Sequence, residues 1–297
     1  MDRCSVTAAA EPLLGTAPVA QTWVLLEDNG PWGNKAPGTA RFAAAPELAA
    51  AANKTHTKVL LVREPSVRVA KQRRVWVAHV ASGRLWSGVV EEPDELLGWD
   101  LHALADGATP PGLTTSSTFL WLVCTNSSRD ACCALVGRPL VDDLAGLAAA
   151  NAVTLLESSH LGGHRFAPTA LALPSGYAFG RLTVASATAA FTSLQDGNLV
   201  TANLRGRTSL PRWAQVADTA ARKELGWSKL TPLTLDPDPS STADTPDVVT
   251  VTTPDGRAVI VRLGEQPIDP RPESCGKAPV PGSAIVAARV EHVGSAT

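Results

Sequence analysis

Phe119-Leu-Trp-Leu-Val-Cys124 is an apolar run of strand length that ends on a cysteine, and two further cysteines, Cys132 and Cys133, follow shortly after. Downstream come an Ala/Leu-rich stretch ending near Ala150, a second apolar run Val153-Thr-Leu-Leu156, and a pair of runs around Ser175-Gly176. That pair, Thr169-Ala-Leu-Ala-Leu173 and Tyr177-Ala-Phe-Gly-Arg-Leu182, precedes another helical stretch from Ala185 to Leu194. Short apolar runs bounded by turn residues read as buried strands, while apolar residues recurring every three to four positions read as helices. The segment is therefore strand, helix, strand, hairpin, helix. Its first helix is expected to begin at Pro139, because proline is tolerated at a first helical position and costly later, which leaves residues 131–138 in a loop or a preliminary turn.

The same order stands upstream. Thr22-Trp-Val-Leu-Leu26, a helix from Pro46 to Ala52, and Val59-Leu-Leu-Val62 are followed by Arg74–Val80 and Arg84–Val90 around Ser82-Gly83, then a helix from Pro93 to Leu104. Asp106-Gly-Ala-Thr-Pro-Pro-Gly112 reads as a linker. Downstream, an amphipathic stretch from Leu210 to Leu225 leads through a Pro/Asp/Ser/Thr-rich loop, Leu235–Asp247, to a hairpin around Pro254-Asp-Gly256 and a last strand, Ala284 to Val290. The expected fold is α/β: a thioredoxin-like half at 1–112, a duplicated thioredoxin-like half at 113–205, and a β-containing extension at 206–297.

The 297 residues carry 26 Lys+Arg against 28 Asp+Glu, a net charge of −2, which supplies no electrostatic footprint for nucleic acid or an anionic membrane. No apolar run spans a bilayer, and the start Met1–Ser5 lacks the pattern of a secretory leader, so a cytoplasmic location is expected. Five cysteines are too few and too odd for a disulfide framework.

The chemistry-bearing set is Cys124, then Cys132 and Cys133, then His160-Leu-Gly-Gly-His164. The spacing is Cys-x8-Cys-x26-His-x3-His with Cys133, or begins Cys-x7-Cys with Cys132. Two soft thiolates and two imidazoles can hold a zinc ion, although finger-type zinc sites use a tighter cysteine turn. A [2Fe-2S] cluster suits the longer loop and accepts mixed Cys/His ligation. Buried free cysteines and hydrogen-bonded histidines are the plain alternative.

Cys124-Thr-Asn-Ser-Ser-Arg-Asp-Ala-Cys-Cys133 with Ser159-His-Leu-Gly-Gly-His-Arg-Phe-Ala-Pro168 resembles the signature of the sucrase/ferredoxin-like family, thioredoxin-like [2Fe-2S] proteins. Gly15-Thr-Ala17, Pro31-Trp-Gly33 and Ser274-Cys-Gly-Lys277 extend the resemblance along the chain. It implies a cluster on Cys124, Cys133, His160 and His164, with Cys132 as the alternative second thiolate and Cys4 and Cys275 as outliers. Sucrase activity is not expected, because Asp142-Asp143 point apart on a helix and do not face each other across a glycosidic bond.

Imidazole in place of thiolate makes such a cluster less negative and raises its potential. Loss of an outer imidazole proton would make that potential fall as pH rises. The expected role is a one-electron carrier served by a redox protein or a small reductant, since no nucleotide-binding glycine pattern is present. A zinc-stabilised scaffold and a thiol oxidoreductase using Cys132 or Cys133 are the rival classes.

Overall fold

The computed structural model describes residues 3–65, 67, 73–239 and 244–293. The chain is mixed α/β, built on a ten-stranded sheet and a second sheet of four strands. One side of the large sheet holds β1 (Thr22–Glu27), β2 (Thr57–Arg63), β3 (Arg73–His79), β4 (Arg84–Val90) and the short β5 (Thr114–Thr115). The other side holds β6 (Phe119–Cys124), β7 (Val153–Ser158), β8 (Ala170–Leu173), β9 (Tyr177–Phe179) and β10 (Leu204–Arg207). On each side the first two strands run parallel, the third lies antiparallel to the first, and the third and fourth form a hairpin. Gly83 and Gly176 turn the two hairpins with φ of 65° and 75°, a backbone region open to glycine. The two sides meet where β2 pairs antiparallel with β7, through Val62 with Ser158 and Arg63 with Glu157.

Among the described residues the α-helices are α1 (Cys4–Thr7), α2 (Ala45–Asn53), α3 (Leu101–Ala105), α4 (Ala131–Ala150), α5 (Val184–Gln195) and α6 (Arg212–Glu224). Leu140, Leu144 and Ala148 of α4, with Ala187 and Phe191 of α5, enclose Trp121 and Val123 of β6. This apolar stripe fixes α4 over the strand that ends at Cys124.

The start of α4 corrects the sequence expectation. The helix begins at Ala131 and runs straight through Pro139. Asp130 overrides the proline signal: its carboxylate accepts the Cys132 N–H at 2.8 Å and caps the first turn. The carbonyl freed by Pro139 belongs to Leu135, which is 57% exposed, so solvent can serve it. The helix expected over Pro93–Leu104 is likewise two pieces, a 3-10 turn at Pro93–Gly98 and then α3, capped by Asp100.

The last segment forms the four-stranded sheet from β11 (Thr234–Pro237), β12 (Val248–Thr252), β13 (Ala258–Arg271) and β14 (Val280–His292). β11 overlaps the start of the stretch expected as a loop, and residues 240–243 of that stretch fall outside the described residues. α6 packs Val216, Ala217 and Ala221 against Val249, Val251, Val259 and Val261 of this sheet. β13 and β14 extend well beyond the predicted strands, and the turn between them carries Cys275 back to the start of α4. Among the described residues no helix is long and apolar enough to cross a membrane.

Candidate metal centre

Parallel pairing of β6 with β7 sets Cys124 beside Ser158, so the two strands end together and the histidine loop starts next to the first cysteine. Gly162 and Gly163 then adopt φ of 72° and 71° and turn the chain back on itself. The His160 and His164 rings consequently stack, with centroids 5.0 Å apart and planes 27° from parallel. Cys133, in the first turn of α4, completes the group. Gly137, one turn further on, lets the helix approach the end of β6 closely.

The electrostatics divide the two thiols. A hydrogen bond from Cys133, with further help from His160, holds the Cys124 thiol well below its ordinary pKa despite complete burial. Cys133 is pushed up by the same hydrogen bond and by burial. Burial and the neighbouring His160 ring lower the pKa of His164, which keeps its imidazole neutral, the form that ligates metals. The Nδ1 atoms of His160 and His164 are both buried without a hydrogen-bond partner. Each such atom costs about 1–3 kcal/mol of desolvation unless something binds it. A metal centre fits these residues: two thiols and two imidazoles, each with an unserved ring nitrogen.

A buried cation lies beneath the group. Arg205 of β10 donates to the Gly162 carbonyl at 2.9 Å and to Thr16 Oγ1 at 3.1 Å. Burial pulls its pKa down to about 9, and Arg165 adds to that, while the charges of Cys124 and Cys133 oppose it. Cys124 and Cys133 are each 1% exposed and His164 is 8% exposed. His160 is half-buried, and it borders a cleft of about 310 Å³ whose wall includes Trp23, Pro37, Lys35 and Lys58.

Cys132 leaves this group. Consecutive residues on a helix point about 100° apart, so Cys132 faces away while Cys133 faces Cys124. Cys132 Sγ stands 3.3 Å from Cys275 Sγ and 3.6 Å from Cys4 Sγ, and Cys4 and Cys275 are 3.6 Å apart. The two outlying cysteines of the sequence are thus neighbours of the ambiguous one. Asp130 lies against them, with Cys4 Sγ 3.8 Å from its carboxylate. Sequence spacing held no signal for this convergence, because α1, α4 and the β13–β14 turn are brought together only by the fold. Arg205 was missed for the same reason. Of the other charged side chains in these segments, Arg165 pairs with Glu11 at 2.7 Å, Arg129 is exposed, and Asp142 and Asp143 are exposed on α4.

Among the described residues, the donor atoms of Cys4, Asp130, Cys132 and Cys275 form a group lying within 4.8 Å of one another. The donor atoms of Cys124, Cys133, His160 and His164 do not form a group by that measure. No curated protein and no solved structure matches the chain. The family described as sucrase/ferredoxin-like matches residues 13–206. That stretch includes the whole ten-stranded sheet except the last residue of β10, together with Cys124, Cys133 and both stacked histidines, and the chain belongs to the sucrase/ferredoxin-like family.

Proposed function

We propose that the chain is a one-electron carrier with a [2Fe-2S] cluster held by Cys124, Cys133, His160 and His164 in a thioredoxin-like half of the large sheet. The observation that carries this reading is the pair of buried, unpartnered Nδ1 atoms on stacked histidines beside two buried thiols. Membership of a family named for ferredoxins agrees with it. The family name also contains sucrase, but Asp142 and Asp143, the adjacent carboxylates of α4, are exposed and lie outside the site.

When bound, the cluster supplies one-electron chemistry. The chain's own residues do the rest. Cys124 and Cys133 provide negative charge and His160 and His164 neutral nitrogen, so the total charge stays less negative than with four thiolates and the potential is raised. Arg205 adds a positive charge in the same direction. Leu161, Phe166 and the strands of both sides exclude water from all but the His160 edge.

Electron paramagnetic resonance of the dithionite-reduced protein tests the reading. Two irons per chain and a reduced-cluster signal are expected in the wild type and in Cys132→Ser. Both are lost in Cys124→Ser and Cys133→Ser. A colourless protein carrying zinc on Cys124, Cys133 and the histidines overturns the proposal.

A further inference from the structure

Apart from the four residues assigned above, the structure gathers Cys4, Cys132, Cys275 and Asp130 from three segments far apart in sequence. We infer that these four residues form a second metal site, which takes a single thiophilic divalent cation, zinc above all. Its inference stands on its own geometry and does not need the cluster.

The sulfur triangle has edges of 3.3, 3.6 and 3.6 Å. Sulfurs bound at about 2.3 Å to a tetrahedral zinc stand about 3.8 Å from one another, so closing this triangle on one ion needs shifts of only a few tenths of an ångström. The three thiols are free, and Cys4 and Cys132 are fully buried. The fourth corner is the Asp130 carboxylate, held in place by N–H donors from Cys132 and Cys275 and by the Ser274 hydroxyl, each at 2.8 Å. Those donors keep it ionised against the pull of burial. The amino end of α4 points at the same spot, where its dipole favours thiolate. Burial in turn pushes the free Cys4 and Cys275 thiols upward, so in the absence of a cation they stay protonated. Each thiol that binds the cation exchanges its S–H bond for a metal–sulfur bond and releases its proton, with no change of oxidation state.

Zinc is favoured by softness and number: three thiolates with one carboxylate suit a four-coordinate d¹⁰ ion, and all four positions are taken by protein, the pattern of a structural site. Cys4 and Cys275 both lie outside the 13–206 stretch matched by the family. The site would pin the first helix and the β13–β14 turn to the first turn of α4.

The test is metal analysis of the full-length chain and two groups of variants. The wild type is expected to hold one zinc per chain that survives dialysis. Cys275→Ser, in a half-exposed turn, and Cys4→Ser lose that zinc and keep any iron and visible absorption. Cys124→Ser keeps the zinc. Asp130→Asn weakens zinc binding by about 10- to 100-fold. Should a variant fold poorly, the unaltered chain gives a second reading: modification of its thiols with a mercurial releases one zinc to a colorimetric chelator. Zinc without iron in the wild type, with that zinc kept in Cys124→Ser and lost in Cys275→Ser, supports this site while overturning the cluster reading. A wild-type chain that refuses added Zn²⁺, carries a disulfide between any two of the three cysteines, or loses its zinc in Cys124→Ser overturns the second site.

Discussion

A Cβ added to Gly137 would sit 2.3 Å from the carbonyl oxygen of Cys124. The helix that carries Cys133 thus reaches the strand that carries Cys124 only because a side chain is missing at this position. Alanine is the better helix former by about 1 kcal/mol. Here the clash is with backbone and cannot be relieved by a rotamer, and overpacking of this kind costs about 1–3 kcal/mol. Gly137→Ala is therefore expected to be less stable than wild type in urea and to hold less iron. Equal iron content and equal or higher stability would show that the contact is unimportant.

Arg205 is a buried cation with no carboxylate partner among the described residues, beside Cys124 and Cys133. Reduction adds negative charge, and a nearby positive charge favours it. Arg205→Gln should lower the midpoint potential on the order of 60 mV, the equivalent of tenfold for a one-electron couple. Spectroelectrochemistry of the two proteins decides the matter, and an unchanged potential would assign Arg205 to packing alone.

His164→Cys replaces a neutral ligand by an anionic one. The cluster is expected to survive, with a potential more negative by on the order of 100 mV or more, in the direction that separates cysteine-only from histidine-containing centres. The wild-type potential should fall as pH rises through the alkaline range, and the variant, with one imidazole fewer, should show a weaker fall. Redox titration at several pH values measures both.

Glu11 accepts from Arg165 at 2.7 Å and from Arg271 at 2.8 Å and so ties the N-terminal segment to the histidine loop and to β13. Burial works to raise its pKa, but the two guanidiniums outweigh burial and hold it below the ordinary 4.5. A carboxylate with a depressed folded pKa contributes stability that is present above its unfolded value and lost as pH falls through its folded value. Unfolding free energy should decline in that acidic window. Glu11→Gln should flatten this part of the profile and cost about 3–5 kcal/mol at neutral pH, because Arg271 is left buried without its partner. Urea titrations from neutral to acid pH read both effects.

The elements of the large sheet were legible wherever the information was local. Apolar runs such as Phe119–Val123 and Val153–Leu156, and the Ser-Gly turns, place strands from their own residues. Pro139 misled because its rule is also local, whereas the start of α4 is decided by the Asp130 carboxylate, whose other partners come from the β13–β14 turn. The candidate donors were legible because their loop lies between adjoining strand ends. Cys4, Cys275 and Arg205 were not, since their neighbours lie more than a hundred residues away or, for Arg205, across the turn at Gly162. The choice between Cys132 and Cys133 depends on helical phase, and placing 131–138 in a loop concealed it.

The junction of β2 with β7 has a further consequence. Arg63 of β2 stacks on Trp32 at 4.3 Å and pairs with Glu157 of β7 at 2.8 Å, while Asn126 donates to the Gly33 carbonyl at 3.0 Å. The side of the sheet without the four donors is thereby fastened over the approach to Cys124, as insulation is wrapped around a wire. With that face closed and Cys124, Cys133 and His164 sealed, the bare end of the wire is the His160 edge beside Lys35 and Lys58. For the proposed cluster this surface would be the place where an electron enters or leaves, and an acidic face on a redox partner would complement Lys35 and Lys58.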